Sequence, residues 1–293
     1  MKKISMTALG MIALLCTGCG DSDLPDSSEL GKLKILTIKS SMAAGDGINT
    51  LAEYSPGDGP ITLTPVISYL NGANGTTLSY DIQACVDPGI YVGAEPSCIG
   101  NPTMVSVGSG NITSLDFAHS FTGAADPATL TLPSAAVIFS NRSAVEQFNG
   151  VTYLITYSVT ASDGSQARSI KRLVVSTRTS KNFNPILADV FGNGQTLSSF
   201  PAGGVVTLTD VIGATGAEGF QQMKDDESLI DRRESLVTSW FVSDGELKYL
   251  RTTEGLGTEL EIPGALPTTR SKFVIAVLRD ERGGIDFHIK TFP

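Results

Sequence analysis

The sequence predicts an all-β protein of two tandem β-sandwich domains, set behind a secretory signal segment and a short polar tether. Three observations carry that expectation. Gly, Pro, Asn, Asp and Ser recur at intervals of about ten residues through most of the chain, a spacing that fits short strands joined by turns. Between the turns, β-branched and aromatic residues alternate with polar ones, as in strands with one buried face. Residues 19–293 are also enough chain for about two domains of ordinary size.

Residues 1–18 have the three parts of a signal peptide. Lys2 and Lys3 supply a positive start, Ile4 to Leu15 an apolar stretch, and Thr17 and Gly18 small residues before Cys19. The apolar stretch falls short of the roughly 20 residues that a membrane-spanning helix needs. Thr17-Gly18-Cys19 resembles the bacterial lipobox, in which a small residue precedes a lipid-modified cysteine, although Cys16 stands where that pattern usually has Leu. The resemblance implies cleavage before Cys19 and its acylation by diacylglycerol and palmitate. The competing reading is cleavage by the general peptidase, with Cys19 an ordinary thiol. Residues 19–31 begin Gly20-Asp21-Ser22-Asp23 after the cysteine and are small, polar and acidic, the composition of a tether. Two acyl chains suffice for stable anchoring at about 0.8 kcal/mol per buried CH₂. Gly20 in place of Asp after the cysteine directs the expectation to the outer membrane of a Gram-negative envelope.

Removal of the two signal lysines takes the net charge from −9 to −11. That sign argues against nucleic acid, whose binders carry a basic face. It also argues against a peripheral electrostatic hold on anionic lipid, so membrane attachment is expected through acylated Cys19 alone. Once Cys19 is taken by lipid, Cys85 and Cys98 remain, 13 positions apart around a Pro- and Gly-containing loop. In an oxidising compartment they most simply form one disulfide, stabilising by about 3 kcal/mol for a loop of that size. Two thiols without a nearby His or third Cys make a poor zinc site.

The first domain is expected over residues 32–179, with strands at 33–39, 61–69, 77–85, 112–121, 128–132, 152–161 and 169–176. The clearest hairpin joins 153–161 to 168–175 through Asp163-Gly164. There Tyr153, Ile155, Tyr157 and Val159 should face a core, with Leu154, Thr156, Ser158 and Thr160 opposite. A polar run ending in Asn184-Pro185 is the linker. The second domain, residues 182–293, is expected to hold strands at 186–191, 205–211, 236–242, 247–252, 259–262, 272–279 and 285–290, with Trp240 as a core anchor. A weak repeat matches Ser79-Tyr80 with Ser239-Trp240, and the turn at Asp163-Gly164 with that at Asp280 to Gly283. The longer first unit would then carry an insertion at the disulfide loop and at residues 135–149.

Trp240-Phe241-Val242-Ser243-Asp244-Gly245 and the segment from Val277 to Asp286 resemble the closing strands of bacterial immunoglobulin-like modules of the PKD kind. The order of lipobox, Lys34-Ile35-Leu36-Thr37-Ile38, paired cysteines, Lys171 to Ser176 and Asn184-Pro185 resembles a group of bacterial envelope lipoproteins. That resemblance implies tandem immunoglobulin-like sandwiches and an envelope address, and brings no catalytic residue with it.

Site chemistry is thin. His119 and Ser120 are neighbours on an expected strand and point to opposite faces, so they form no local nucleophile–base pair. His288 lies beside Asp286 in the last strand. No zinc spacing, phosphate loop or nucleophile elbow is present. The unusual segment is residues 216–234, with Lys224, Asp225, Asp226, Glu227 and Asp231. Its carboxylates could ligate Ca²⁺, but they lack the regular spacing and are partly neutralised, which favours a solvated loop or short helix. It is also the candidate partner-contact loop. The sequence therefore points to a non-enzymatic envelope protein with no cofactor and no metal, binding or spacing an envelope protein or polysaccharide. A carbohydrate- or peptidoglycan-binding module and a hydrolase using paired carboxylates are the alternatives.

Overall fold

A computed structural model describes residues 30–44, 49–73, 75–89, 96–115, 122–200, 203–213, 216–266 and 270–293. The expected signal peptide (residues 1–18), Cys19 and His119 with Ser120 lie outside these residues. The fold is an all-β sandwich architecture, with two short helices among the described residues.

The N-terminal part contains β1 (Lys34–Ala43), β2 (Thr50–Leu51), β3 (Glu53–Tyr54), β4 (Ile61–Ser68), β5 (Leu78–Val86), β6 (Val105–Ile112), β7 (Thr122–Ala124) and β8 (Ala128–Leu130). Helices α1 (Ala135–Ile138) and α2 (Ala144–Asn149) follow, then β9 (Val151–Ala161) and β10 (Gln166–Val175). One sheet has the order β2-β1-β4-β7, with β8 also on β4; the other runs β3-β10-β9-β5-β6. The C-terminal part contains β11 (Leu187–Gly192), β12 (Gln195–Thr196), β13 (Gly204–Ile212), β14 (Gly219–Met223), β15 (Leu229–Arg233), β16 (Val237–Val242) and β17 (Glu246–Leu247). It ends with β18 (Arg251–Thr253), β19 (Thr258–Ile262), β20 (Lys272–Arg279) and β21 (Ile285–Phe292). Its sheets are β12-β11-β13-β19-β17 and β18-β16-β20-β21, with β14 and β15 a separate hairpin.

The two sandwiches share a strand order. β5, β9 and β10 are adjacent in one, as β16, β20 and β21 are in the other, and β1-β4 matches β11-β13. Register agrees as well: Tyr80 pairs with Val159 and Trp240 with Ala276, each partner standing four residues before the turn aspartates Asp163 and Asp280. Trp240 is 1% exposed and donates its indole N–H to Thr252 Oγ1 at 2.9 Å. Tyr80 is half-buried and stacks on Tyr157 with ring centroids 5.8 Å apart.

On β9, Tyr153, Ile155, Tyr157 and Val159 face the first core. Leu154, placed by alternation on the outer face, is also fully buried, because the Cys85–Cys98 disulfide and Ile170 cover it.

Several expectations are corrected. The strand at 247–252 is two strands in different sheets: β17 pairs with β19, while β18 pairs with β16. Between them the chain crosses the sandwich, held by Thr258 Oγ1, which accepts from Tyr249 N at 3.0 Å and donates to Tyr249 O at 2.9 Å. A strand over 112–121 gives way to β6, which ends at Ile112; its Gly- and Ser-rich sequence hid an edge strand paired to β5. Residues 116–121 are outside the described set. Leu30, assigned by composition to the tether, is 1% exposed, and its carbonyl accepts from Ser68 Oγ and Leu70 N. Residues 216–234 are neither loop nor short helix at their core, since Gly219–Met223 and Leu229–Arg233 form an antiparallel hairpin.

Candidate functional site at the junction of the two sandwiches

The sandwiches meet through an apolar patch and a buried charge network. Leu30, Leu36 and Val66 of the first pack on Phe273, Ile275, Val277 and Ile285 of the second, so β20 is buried on both faces. Burying each such side chain contributes about 1.5–3 kcal/mol. Asn184, in the connection, donates to Ser40 O at 2.8 Å and accepts from Ile285 N at 2.8 Å. Lys39 pairs with Asp286 at 2.7 Å, and Asp286 also accepts from Leu187 N.

Glu53 is the centre of the network and is fully buried. Its carboxylate accepts from Ser176 Oγ, from Asn182 N at 3.2 Å and from Arg282 Nη2. Arg282 is delivered by the β20–β21 turn, where Gly283 has φ +95° and a side chain on Gly284 would collide with Asp280 and Pro185. Two glycines are required because one position is left-handed and the other has no space. Asp280 Oδ1 accepts from Arg282 N and Gly284 N, and its Oδ2 from Asn182 Nδ2. Arg282 Nη1 reaches Glu234 at 3.2 Å. Burial, reinforced by Asp280, pushes the Glu234 carboxyl up to about 7 even with Arg282 beside it. Lys171, buried against the same turn and donating to Gly283 O, is lowered to about 8, chiefly by burial.

The β14–β15 hairpin closes the junction. Asn149, ending α2 of the first sandwich, donates to Met223 O at 2.7 Å and accepts from Met223 N at 2.8 Å. Phe220 carries two guanidinium groups, with Arg282 4.7 Å and Arg178 5.7 Å from its ring centroid; Arg178 also lies 5.2 Å from Phe148. Between the 178–181 segment, α2, β14 and the β20–β21 turn is a cavity of about 350 Å³. Its size is at the small end of the range for ligand pockets.

The residues singled out by sequence are distributed differently. Cys85 and Cys98 are bonded, and Cys19 is outside the described residues. Lys224, Asp225, Asp226 and Glu227 form the exposed tip of the hairpin, with Glu227 at φ +63°. Asp226 is occupied by its own turn, accepting from Ser228 N at 3.0 Å and Ser228 Oγ at 2.6 Å, which lowers its pKa. Asp231 accepts from Gln221 Nε2 across the hairpin at 3.4 Å. Among the described residues no group of three or more His, Cys, Asp or Glu side chains is placed to hold a metal ion. His288 stands 3.5 Å from Asp189, which also pairs with Lys290. No helix of the described residues is long and apolar enough to cross a membrane.

Sequence reasoning missed Glu53 and Arg178, and the roles of Glu234 and Arg282. The charged turn Asp280-Glu281-Arg282-Gly283-Gly284 was visible, but its partners lie far away in the chain.

No protein-family model and no curated protein matches this chain. Among solved structures, red sea bream transglutaminase is similar over 88% of this chain and 31% of its own, at 6% identity and TM-score 0.26. Dimeric latent PorU from Porphyromonas gingivalis is similar over 90% of this chain and 24% of its own, at 11% identity and TM-score 0.26. The chain thus spans about a third and a quarter of the lengths of these proteins.

Proposed function

We propose that this chain is a lipid-anchored envelope protein whose paired sandwiches act as one rigid, non-enzymatic module for display or spacing. The observation that supports this best is the buried junction: Glu53, Arg178, Arg282 and Glu234 tie elements from both sandwiches together, which suits a module that must hold a fixed geometry. The anchor rests on the sequence before and at Cys19, and on the short segment between it and Leu30. The exposed tip at Lys224–Glu227 is the natural contact surface for a protein or polysaccharide partner, since its base is fixed on α2 through Asn149.

Two measurements test this reading. Replacing Cys19 with Ala should move the protein from membrane to soluble fractions; persistence in the membrane would undo the anchor. Crosslinking in cells from a photoreactive residue at position 225 should capture an envelope component. Capture of none would remove the support for a contact tip.

A further inference from the structure

Arg178 is a poorly satisfied charged group at the junction. Its side chain is 7% exposed, yet among the described residues it makes one hydrogen bond, from Nη2 to Asn149 O at 3.5 Å, the outer limit for such a bond. Nε has no partner. The Glu53 carboxylate forms an ion pair with it at 3.6 Å but takes no hydrogen bond from it, because Arg282, Ser176 and Asn182 already occupy it. A guanidinium has five N–H donors in a planar fork, and a buried donor left unmade costs about 1–3 kcal/mol. Native structures rarely leave such a group without a reason.

The surroundings of Arg178 specify what could complete it. Arg178, Lys181 and Arg282 all line the cavity, in a chain of net charge −9, and among the described residues Glu218 is the one carboxylate residue on its wall. Burial raises the Glu218 pKa above its ordinary value. Phe148 and Phe220 supply apolar surface on the same wall, with Arg178 between them. Lys181 Nζ is held by Tyr54 O and Ser176, and Arg282 by Glu53 and Glu234, so Arg178 is the cation with donors to spare beside the aromatic wall. Its fork geometry suits a carboxylate, which can accept two parallel N–H bonds.

We propose that the junction cavity binds a small ligand through a carboxylate group, with Arg178 as its principal donor and Phe148 and Phe220 contacting its apolar part. This site is independent of the anchor: it would exist whether or not Cys19 is acylated. It also gives the junction a second role, since a ligand there would touch both sandwiches and the hairpin at once.

The test is a titration of the full chain lacking only its signal peptide, using acetate, benzoate and N-acetylphenylalanine, with benzamide and N-acetylphenylalanine amide as neutral counterparts. Backbone amide NMR shifts of Ser180, Phe220 and Gln221 report occupancy. The expected result is saturable shifts at these residues with benzoate or N-acetylphenylalanine, and binding weaker by about tenfold or more for the matching amide, consistent with loss of a charge-assisted pair. Arg178→Lys, which keeps the charge but loses the fork, should weaken the carboxylate severalfold. Glu218→Gln, which removes the opposing carboxylate, should tighten it. Equal binding of acid and amide, tighter or unchanged carboxylate binding in Arg178→Lys, or no saturable shift at the cavity with any of the three carboxylates would each overturn the proposal.

Discussion

At the scale of single residues, the junction depends on groups that have no local sequence signature. Glu53 sits between Ala52 and Tyr54 in a stretch where the sequence predicts no element, and its partners Ser176, Asn182 and Arg282 lie 123, 129 and 229 positions further on. Period-based reading detects faces of strands; it carries no information about which distant cation will meet a lone carboxylate. Glu53→Ala would leave Arg282 and Arg178 buried without their counter-charge. Breaking such a pair costs about 3–5 kcal/mol, so urea denaturation should show a loss of that order; a loss below about 1 kcal/mol would contradict the central place of Glu53. Glu234 makes a pH prediction. Its folded pKa of about 7 lies above the ordinary glutamate value of 4.5, so the folded state favours the protonated form. Its contribution to stability is fully present below the unfolded value and is lost as pH rises through about 7. Stability measured from pH 5 to pH 8 should fall relative to a Glu234→Gln variant, which lacks this titration; parallel profiles would refute the assignment.

At the scale of elements, legibility followed burial. Strands with one core face, such as β13 and β19, stand out in sequence because alternate residues answer to one core. The pairing of Cys85 with Cys98 was readable from spacing and compartment, and the structure bears it out. Replacing both by Ala should cost about 3 kcal/mol through the released loop and should also loosen Leu154, which packs on the bridge. Equilibrium unfolding of the double variant checks this, and an unchanged midpoint would count against a stabilising bridge. The β14–β15 hairpin was misread because neither strand belongs to a sandwich sheet. Its sequences, Gly-Phe-Gln-Gln-Met and Leu-Ile-Asp-Arg-Arg, therefore lack the alternation that a core imposes, and the element is fixed through Phe220 and the Asn149–Met223 pair instead.

At the scale of the whole molecule, the repeated strand order was partly foreshadowed by the match of Tyr80 with Trp240. The packing of one sandwich on the other was not. One signal was present: the run Phe273-Val274-Ile275-Ala276-Val277-Leu278 is apolar without alternation, as expected of a strand covered on both faces. Its outer side chains Phe273, Ile275 and Val277 meet Leu30, Leu36 and Val66. Together with the Glu53 network, this contact joins the two sandwiches, and the proposed spacing or display role requires that they behave as a single mechanical unit. Differential scanning calorimetry of residues 19–293 tests that unity most directly. One transition with equal calorimetric and van't Hoff enthalpies, resolving into two in Glu53→Ala, is the result expected. Two independent transitions already present in the unaltered chain would contradict it.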